Sequence, residues 1–249
     1  MRFSLLKELA LTDFKLRYKN SVLGYLWSLL KPLAIFGSLY LVFSIFVRFD
    51  VPNYPLFLLL GILLWNYFTE ATINGMHSLV NKSSLLTKIN VDKFTVVLAS
   101  NVTTLLTLLL NLVIFFVLAA FFKPDVALTM VTLPLLIAEL FLIALGVSLA
   151  LSVWYVRLRD LVSIWEILLQ IGFWVTPIIY PLSIVPDRFE KFMGFNPMHR
   201  LINEARELLV ELRWPHATEL LITLAVSLLI FCLGFIVFRR REKHVAEEV

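Results

Sequence analysis

The sequence predicts an all-α integral membrane protein with six transmembrane helices. An N-terminal amphipathic helix in the membrane interface and short re-entrant helices on the outer side, between spans five and six, complete the predicted fold. Three observations support it. Of the residues, 60% are apolar and only 16% are charged, which is more apolar surface than a soluble domain of this size can bury. Uncharged runs of membrane-spanning length recur along the chain, and lysine and arginine are concentrated in alternate connections.

The N-terminal segment, residues 1–21, is too charged to span a membrane. Lys7, Glu8 and Asp13 also interrupt the apolar core that a signal peptide would need. Four apolar residues share one helical face: Phe3, Leu6, Ala10 and Phe14. We expect this helix to lie in the cytoplasmic interface as an anchor or as a lever at a pathway entrance, and the short glycine link to the first span favours the lever.

Six apolar segments are predicted to be spans because a span needs roughly 20 apolar residues. They are 32–47, 51–69, 94–122, 126–156, 167–186 and 220–238. The first is short unless its helix begins near Val22. Connections with 15 of the Lys and Arg residues alternate with connections that hold 7, so both termini are expected in the cytoplasm. We predict one membrane domain, 1–249, with its spans in 22–238 and a cytoplasmic tail at 239–249.

The chain after the fifth span carries Pro177 and Pro181, and each proline removes a backbone donor and bends or ends a helix. Irregular backbone at membrane depth requires surrounding protein or a water-filled cavity. Asn196 and Pro197 then provide an N-cap and a first turn. Apolar residues follow at helical spacing: Met198, Leu201, Ile202, Ala205, Leu208, Leu209 and Leu212. We expect an amphipathic helix that dips into the outer leaflet.

Patterns for catalysis or metal binding are weak. No Gly-x-x-x-x-Gly-Lys-Ser/Thr motif occurs and the four histidines are scattered, so we predict no catalytic residue and no metal site. Glu70, Glu139 and Glu166 lie in or near spans, where charge is costly. They would either pair with polar neighbours or relay protons in a secondary transporter. We favour pairing, because no Lys, Arg or His accompanies them within the membrane.

Aromatic residues of the spans form the predicted substrate pathway. Aromatic faces can stack on the C–H surfaces of sugar rings, although the same residues also suit lipid contact and interfacial belts. The stripe on the first span is the stronger candidate. The predicted pathway residues are Phe36, Tyr40, Phe43, Trp65, Phe68, Trp165, Phe173, Trp174 and Tyr180.

Several motifs occur in a distinctive order. Residues 17–27 read Arg-Tyr-Lys-Asn-Ser-Val-Leu-Gly-Tyr-Leu-Trp and lead directly into the first span. Gly-Ile-Leu-Leu-Trp-Asn-Tyr-Phe stands at 61–68, Arg-Asp at 159–160, Phe-Trp-Val-Thr-Pro-Ile-Ile-Tyr at 173–180 and Asn-Pro-Met at 196–198. Together these motifs resemble the permease subunits of type-2 ABC transporters that export polysaccharides and polyol phosphates, such as O-antigen and teichoic acid.

The resemblance implies a homodimeric permease in the bacterial cytoplasmic (inner) membrane that works with two copies of a separate ATP-binding subunit. ATP and Mg would bind that subunit, so this chain is expected to hold no cofactor and no ATPase site. Its cargo would be lipid-linked polysaccharide of O-antigen, teichoic-acid or capsule type. Membrane lipids are further expected partners, and nucleic acid is not. The alternatives are a drug- or lipid-exporting permease of the same fold and a proton-coupled secondary transporter using Glu139 and Glu166.

The resemblance also assigns cytoplasmic residues. At the entrance, basic side chains would attract the pyrophosphate of a lipid carrier or anionic headgroups. The entrance comprises Lys15, Arg17, Tyr18, Lys19, Gly24 and Trp27. The turn between the second and third spans would serve as a coupling helix against the ATP-binding subunit. Its residues are Ser83, Ser84, Leu85, Leu86, Thr87 and Lys88.

Overall fold

The computed structural model describes residues 2–17, 24, 26–47, 49–88, 91–122 and 131–243, with side chains except at 2–4, 16, 17, 87, 88, 122, 190 and 191. Within these ranges the elements are helical and include no strand, which confirms the all-α fold class. The α-helices are α1 (Arg2–Arg17), α2 (Leu26–Leu41), α3 (Tyr54–Asn81), α4 (Ser83–Lys88), α5 (Lys93–Phe122), α6 (Leu133–Tyr155), α7 (Leu161–Val175), α8 (Asp187–Met193), α9 (Pro197–Leu209) and α10 (Ala217–Arg241).

Five helical segments in the described chain are long and apolar enough to cross a membrane. They are α2 with its π-helical continuation Val42–Val47, α3, α5, α6 and α10. The multi-pass organisation predicted from the sequence is therefore confirmed. Boundaries differ by six residues or more at three places: the first span begins at Leu26 rather than at Pro32, α3 continues past Glu70 to Asn81, and α6 begins at Leu133 rather than at Val126.

The predicted fifth span, 167–186, differs from the structure. The helix there is α7, which begins at Leu161 and ends at Val175. Its 15 residues rise about 22 Å, less than the roughly 30 Å of a hydrocarbon core. Thr176 is extended, with ψ 133°, because the proline that follows disfavours helical backbone at the preceding residue. The chain continues through a short 3₁₀ turn at Leu182–Ile184.

Helix α3 forms the centre of the bundle and packs against α5 and α6. In its most apolar stretch 78% of residues are buried, against 6% in the first span, so α2 lies at the periphery. Helices α6 and α10 cross in close contact, since a Cβ on Gly234 would lie 1.9 Å from the Gly146 carbonyl oxygen. Small residues at such a crossing let two backbones touch and increase van der Waals contact.

Helix α1 packs on the bundle through the face predicted from the sequence. Ala10 is buried, and Leu6 and Phe14 are half-buried. Thr103 of α5 donates a hydrogen bond to the Ala10 carbonyl at 3.1 Å. Asp13 forms an ion pair with Lys82 at the end of α3. The N-terminal helix is thus tied to α3 and α5.

Candidate functional site

Arg206 of α9 holds the broken chain that follows α7. Its side chain is buried, and its Nη1 and Nη2 donate to the carbonyls of Pro177 at 2.7 Å and Ile178 at 2.6 Å. Nε and Nη2 also donate to the Phe57 carbonyl of α3, at 3.3 and 3.2 Å. One guanidinium therefore supplies the donors that carbonyls of irregular backbone require in an apolar setting.

The positive charge of Arg206 has an unusual environment. In the described part of the chain it forms no ion pair. Burial lowers the pKa of the guanidinium to about 9, so the cation persists at neutral pH. Its Cζ lies 3.4 Å from the centroid of the Phe57 ring, in cation–π contact. Gly61 makes the space, since a Cβ there would lie 2.8 Å from Nη2.

Three further side chains fix the same segment. The Tyr54 hydroxyl donates to the Ile179 carbonyl at 2.9 Å, and the Asn196 amide nitrogen donates to Thr176 Oγ1 at 2.9 Å. Asn196 Oδ1 also accepts from the backbone N–H of Met198 and His199, which confirms the predicted N-cap of α9. The Tyr180 hydroxyl donates to the Trp174 carbonyl at 2.9 Å and so caps α7. We call this set of contacts around residues 176–180 the Arg206 clamp.

Two buried carboxyl groups lie on the other side of α9, toward α6 and α10. Glu139 is fully buried, and neither of its carboxyl oxygens has a hydrogen-bond partner in the described chain. Glu204 accepts from the Thr223 hydroxyl with one oxygen, while its other oxygen has no such partner there. Burial raises the pKa of the Glu204 carboxyl to about 7, and the bond from Thr223 opposes that shift. Glu204 is therefore a candidate for a buried, protonated acid.

The three acidic residues weighed as a proton relay occupy different environments. Glu139 is buried on α6, Glu166 is exposed on α7, and Glu70 lines a cavity beside α2. The electrostatic neighbour of Glu139 is Glu204 of α9. A chain of proton carriers through Glu139 and Glu166 receives no support from this placement.

The aromatic stripe of the first span packs against the protein. Phe36 and Tyr40 stack with ring centroids 5.6 Å apart, and Tyr40 stacks on Tyr54 of α3 at 6.4 Å. Phe43 stacks on Phe49 at 5.8 Å. All three stripe residues are half-buried. Their role in a substrate pathway remains a prediction.

The other predicted pathway aromatics join α3 to α7. Trp65 contacts Phe68 and Phe173, with centroids 5.7 and 6.2 Å apart, and Phe68 contacts Trp165 at 6.4 Å. The Trp165 indole N–H donates to the Thr72 hydroxyl at 3.0 Å. Beyond this cluster, Trp174 is 55% exposed. Most of these residues pack together between α3 and α7, and their place in a substrate pathway stays a prediction.

The predicted cytoplasmic residues are described only in part. Lys15 lies exposed on α1, and Gly24 precedes α2 with its carbonyl accepting from the Trp27 N–H at 3.3 Å. Tyr18 and Lys19, and the side chain of Arg17, lie outside the described residues. Trp27 lines a cavity of about 720 Å³ between α2, α3 and α5.

The predicted coupling turn forms a short helix, α4. Leu85 and Leu86 are half-buried against the apolar cluster that contains Leu79, and Ser84 is exposed. Ser83 is half-buried, and the side chains of Thr87 and Lys88 lie outside the described residues. The helix is anchored by its leucines, and its role as a coupling helix stays a prediction.

Sequence reasoning missed Arg206, Tyr54, Gly61 and Glu204. For Arg206 a signal was present. It stands four residues after Ile202, on the apolar stripe predicted for this helix, and a charge on a face expected to enter the membrane marks a functional or structural site. Tyr54 and Gly61 carry no comparable local signal, because their partners are distant in the sequence.

The chain was compared with known proteins. The family model of the ABC-2 type transporter matches residues 4–210. The O-antigen export system permease protein RfbA of Myxococcus xanthus is 29% identical over 98% of this chain and 95% of that protein. The O-antigen export system permease protein RfbA of Klebsiella pneumoniae is 26% identical over 98% of this chain and 95% of that protein. The polysialic acid transport protein KpsM of Escherichia coli is 21% identical over 95% and 93%.

Proposed function

The chain belongs to the ABC-2 type transporter family, and from this premise we propose that it is the transmembrane subunit of an ATP-driven polysaccharide exporter. The cargo would be a lipid-linked glycan of the O-antigen class, moved from the cytoplasmic to the outer leaflet. The observation that carries this proposal is the likeness over nearly the whole chain to permeases named for O-antigen export. The weaker likeness to a polysialic acid transport protein points to the same class of cargo.

A separate ATP-binding subunit would supply the energy. None of the eight glycines of this chain is followed by lysine, so the usual phosphate-binding loop is missing from its sequence. The permease itself would hold neither ATP nor Mg. Its contact with the ATP-binding subunit would be α4, whose anchored leucines let a push on the helix reach α3 directly.

Two copies of this chain would form the conduit. The first span and α7 flank α3 and expose broad apolar faces, with Phe46 at 74% and Ile167 at 58% exposure. Such faces need lipid or a second protomer, and a two-fold dimer is the commonest arrangement of homo-oligomers. The predicted fifth span would consist of α7 and the clamped segment after it, which together would cross the membrane. The short helices α8 and α9 would then be re-entrant on the outer side.

Both termini would face the cytoplasm of a bacterial inner membrane, as the distribution of basic residues predicts. Helix α1 would lie at the cytoplasmic interface, where Lys15 is exposed. The basic residues near it would attract the phosphates of the lipid carrier. The aromatic residues of α2 and α7 would line the glycan path at the junction of the two protomers.

The primary test is depletion of this protein in its native cell, followed by location of lipid-linked glycan across the inner membrane. We expect glycan to accumulate on the cytoplasmic leaflet while the surface polymer disappears. Inactivating the ATPase of the partner subunit should give the same phenotype. Normal surface glycan after depletion would contradict polysaccharide export and favour a drug- or lipid-exporting permease.

The predicted pathway has its own test in Trp174→Ala. Trp174 is exposed beside the clamped segment, and loss of its ring should lower surface polymer several-fold while the complex still assembles. Trp214→Ala is the matched control, because that tryptophan is 63% exposed and lies outside the predicted pathway. Equal export by the two variants would remove Trp174 from the pathway.

A further inference from the structure

The cavity between α2, α3 and α5 is lined by polar stripes at helical spacing. Asn66, Glu70 and Asn74 repeat every fourth residue on α3, and Thr104, Thr107 and Asn111 follow the same face of α5. From α2 come Trp27 and Lys31, one turn apart. The volume of about 720 Å³ lies within the range of about 300–1,000 Å³ that is typical of ligand sites.

Three hydroxyl groups in this lining are buried without a hydrogen-bond partner in the described chain: those of Tyr67, Thr69 and Thr107. In the described residues, six buried side-chain polar atoms lack a hydrogen-bond partner, and these three hydroxyls are half of them. Leaving such a group unpaired costs about 1–3 kcal/mol. By contrast, the nearby hydroxyls of Thr72 and Ser78 bond to carbonyls of their own helix. The oxygens themselves have almost no exposed surface and so do not open onto the cavity, and they mark a lining whose polar groups are incompletely paired.

The chemistry of the lining narrows what that ligand is. Asn66 and Asn111 offer amide groups that both donate and accept, as hydroxyls do, and suit a polyhydroxylated ligand. The Trp27 ring can stack on the C–H face of such a group. Lys31 offers a cation for a phosphate.

Apolar side chains complete the wall and indicate an amphiphile. Ile35, Leu63 and Leu108 line the same cavity. A wholly polar metabolite would make no favourable contact with these three side chains. Helix α2, which covers the cavity, has only Pro32 buried in its described length. A lipid can therefore approach from the side of α2, keep its chain in the bilayer and insert its headgroup.

We propose that this cavity binds the headgroup of a membrane amphiphile in which a phosphate is joined to a hydroxylated sugar or glycerol unit. The phosphate contacts Lys31, and the hydroxyls bond the amides of Asn66 and Asn111. The ligand is either the lipid-linked glycan or a bilayer phospholipid. Only the first source rests on the proposed function.

The test uses the purified complex with its ATP-binding subunit, stripped of lipid and probed by native mass spectrometry. One arm adds a polyprenyl diphosphate sugar, and the other adds phosphatidylglycerol. Asn66→Leu and Asn111→Leu should each weaken binding of the true ligand about tenfold, which corresponds to one hydrogen bond of about 1.4 kcal/mol. Lys31→Met should weaken it as well, but should leave a phosphate-free glucosyl lipid unaffected.

Ser38→Ala is the matched control, because that exposed hydroxyl of α2 bonds to its own helix at Ala34 and lies outside the cavity. A loss confined to the polyprenyl probe would make the cavity a cargo site, and a loss confined to phosphatidylglycerol would make it a site for a bilayer lipid. Equal binding of both probes by wild type and cavity variants, at unchanged thermal stability, would overturn the site. Failure of the proposed export function and failure of the proposed binding site can be told apart, because binding of phosphatidylglycerol does not require export activity.

Discussion

Two polar regions interrupt this apolar bundle, and they differ in how completely their polar groups are paired. In the Arg206 clamp, the carbonyls of Pro177, Ile178 and Ile179 each accept a hydrogen bond from a buried or half-buried side chain. In the α2–α3–α5 cavity, the hydroxyls of Tyr67 and Thr107 have no such partner in the described residues. One region has its carbonyl groups paired, and the other keeps hydroxyl groups that are not.

The difference distinguishes polar groups that hold the fold together from polar groups that are kept for binding. A fully paired network in a low-dielectric interior fixes one geometry, and removing a member leaves its partners unpaired. An unpaired hydroxyl costs stability in the resting protein and is retained when something binds it. Substitutions should therefore destabilise the clamp and spare the fold at the cavity.

The largest expected effect comes from removing the cation of the clamp. Arg206→Met keeps much of the side-chain volume but leaves three buried carbonyls short of donors, for a loss of about 3–5 kcal/mol. The thermal midpoint of the purified complex should fall sharply and export should stop. Arg213→Met is the control, since that arginine is 74% exposed in its side chain. A stable Arg206→Met variant would show that the clamp is not structural.

A smaller effect should follow from crowding the clamp. Gly61→Ala places a Cβ 2.8 Å from Arg206 Nη2 and 3.3 Å from the Ile178 carbonyl oxygen. Either the guanidinium or the chain must shift, for about 1–3 kcal/mol. Gly37→Ala should be neutral, because a Cβ there meets nothing within 4 Å. The measurement is thermal unfolding of both variants in one detergent. Equal thermal midpoints for Gly61→Ala and Gly37→Ala would mean that the Arg206 clamp can accommodate an extra methyl group without loss of stability.

The carboxyl of Glu204 is intermediate in its hydrogen bonding: one oxygen accepts a bond from Thr223, and the other has no partner in the described residues. The pKa of Glu204 is raised from 4.5 to about 7, mainly by burial, with Glu219 raising it further. The folded protein thus keeps a proton that the unfolded chain loses, so stability should fall as pH rises from about 4.5 to about 7. Glu204→Gln should flatten this dependence and add on the order of 1 kcal/mol at pH 8.

The control for that pH profile is Glu166→Gln, which alters an exposed carboxyl on α7. Its midpoint should follow the wild-type curve across the same pH range. A Glu204→Gln profile that retains the wild-type slope would place the titration elsewhere in the protein.

The smallest effect on the fold is expected at the cavity. Thr107→Val replaces an unpaired hydroxyl by a methyl of similar size, so stability should stay within about 1 kcal/mol of wild type or rise slightly. Asn111→Leu, by contrast, is expected to weaken headgroup binding, so thermal unfolding of one variant and lipid binding of the other test different groups of the lining. A drop of several kcal/mol would show that the Thr107 hydroxyl has a structural partner after all.

The local elements followed well from the sequence. Asn196 with Pro197 is an N-cap in the structure, and the apolar stripe from Met198 to Leu209 is buried. Five of the predicted spans are found as long helices, of which α5 and α10 have boundaries within three residues of the prediction. These features depend on hydropathy and capping, which operate within a few residues.

The extent of α7 was harder to predict. An uncharged run from 167 to 186 reads as a span by composition alone, yet the helix covers Leu161–Val175. Pro177 ends the helix, because proline disfavours helical backbone at the residue before it. At the other end the helix begins before Ile167 and includes Glu166, whose charged side chain stays exposed on the α7 surface. Hydropathy records burial in lipid and does not locate helix ends.

The sequence by itself determined the membrane class, the all-helical fold, the family and the N-cap of α9, since these depend on composition, short motifs and local backbone preferences. Tertiary structure alone decided that Arg206 meets Phe57, 149 residues away in the chain. It also decided that polar residues of α2, α3 and α5 line one cavity. Long-range pairing depends on how helices pack, and neither helical period nor hydropathy carries that information.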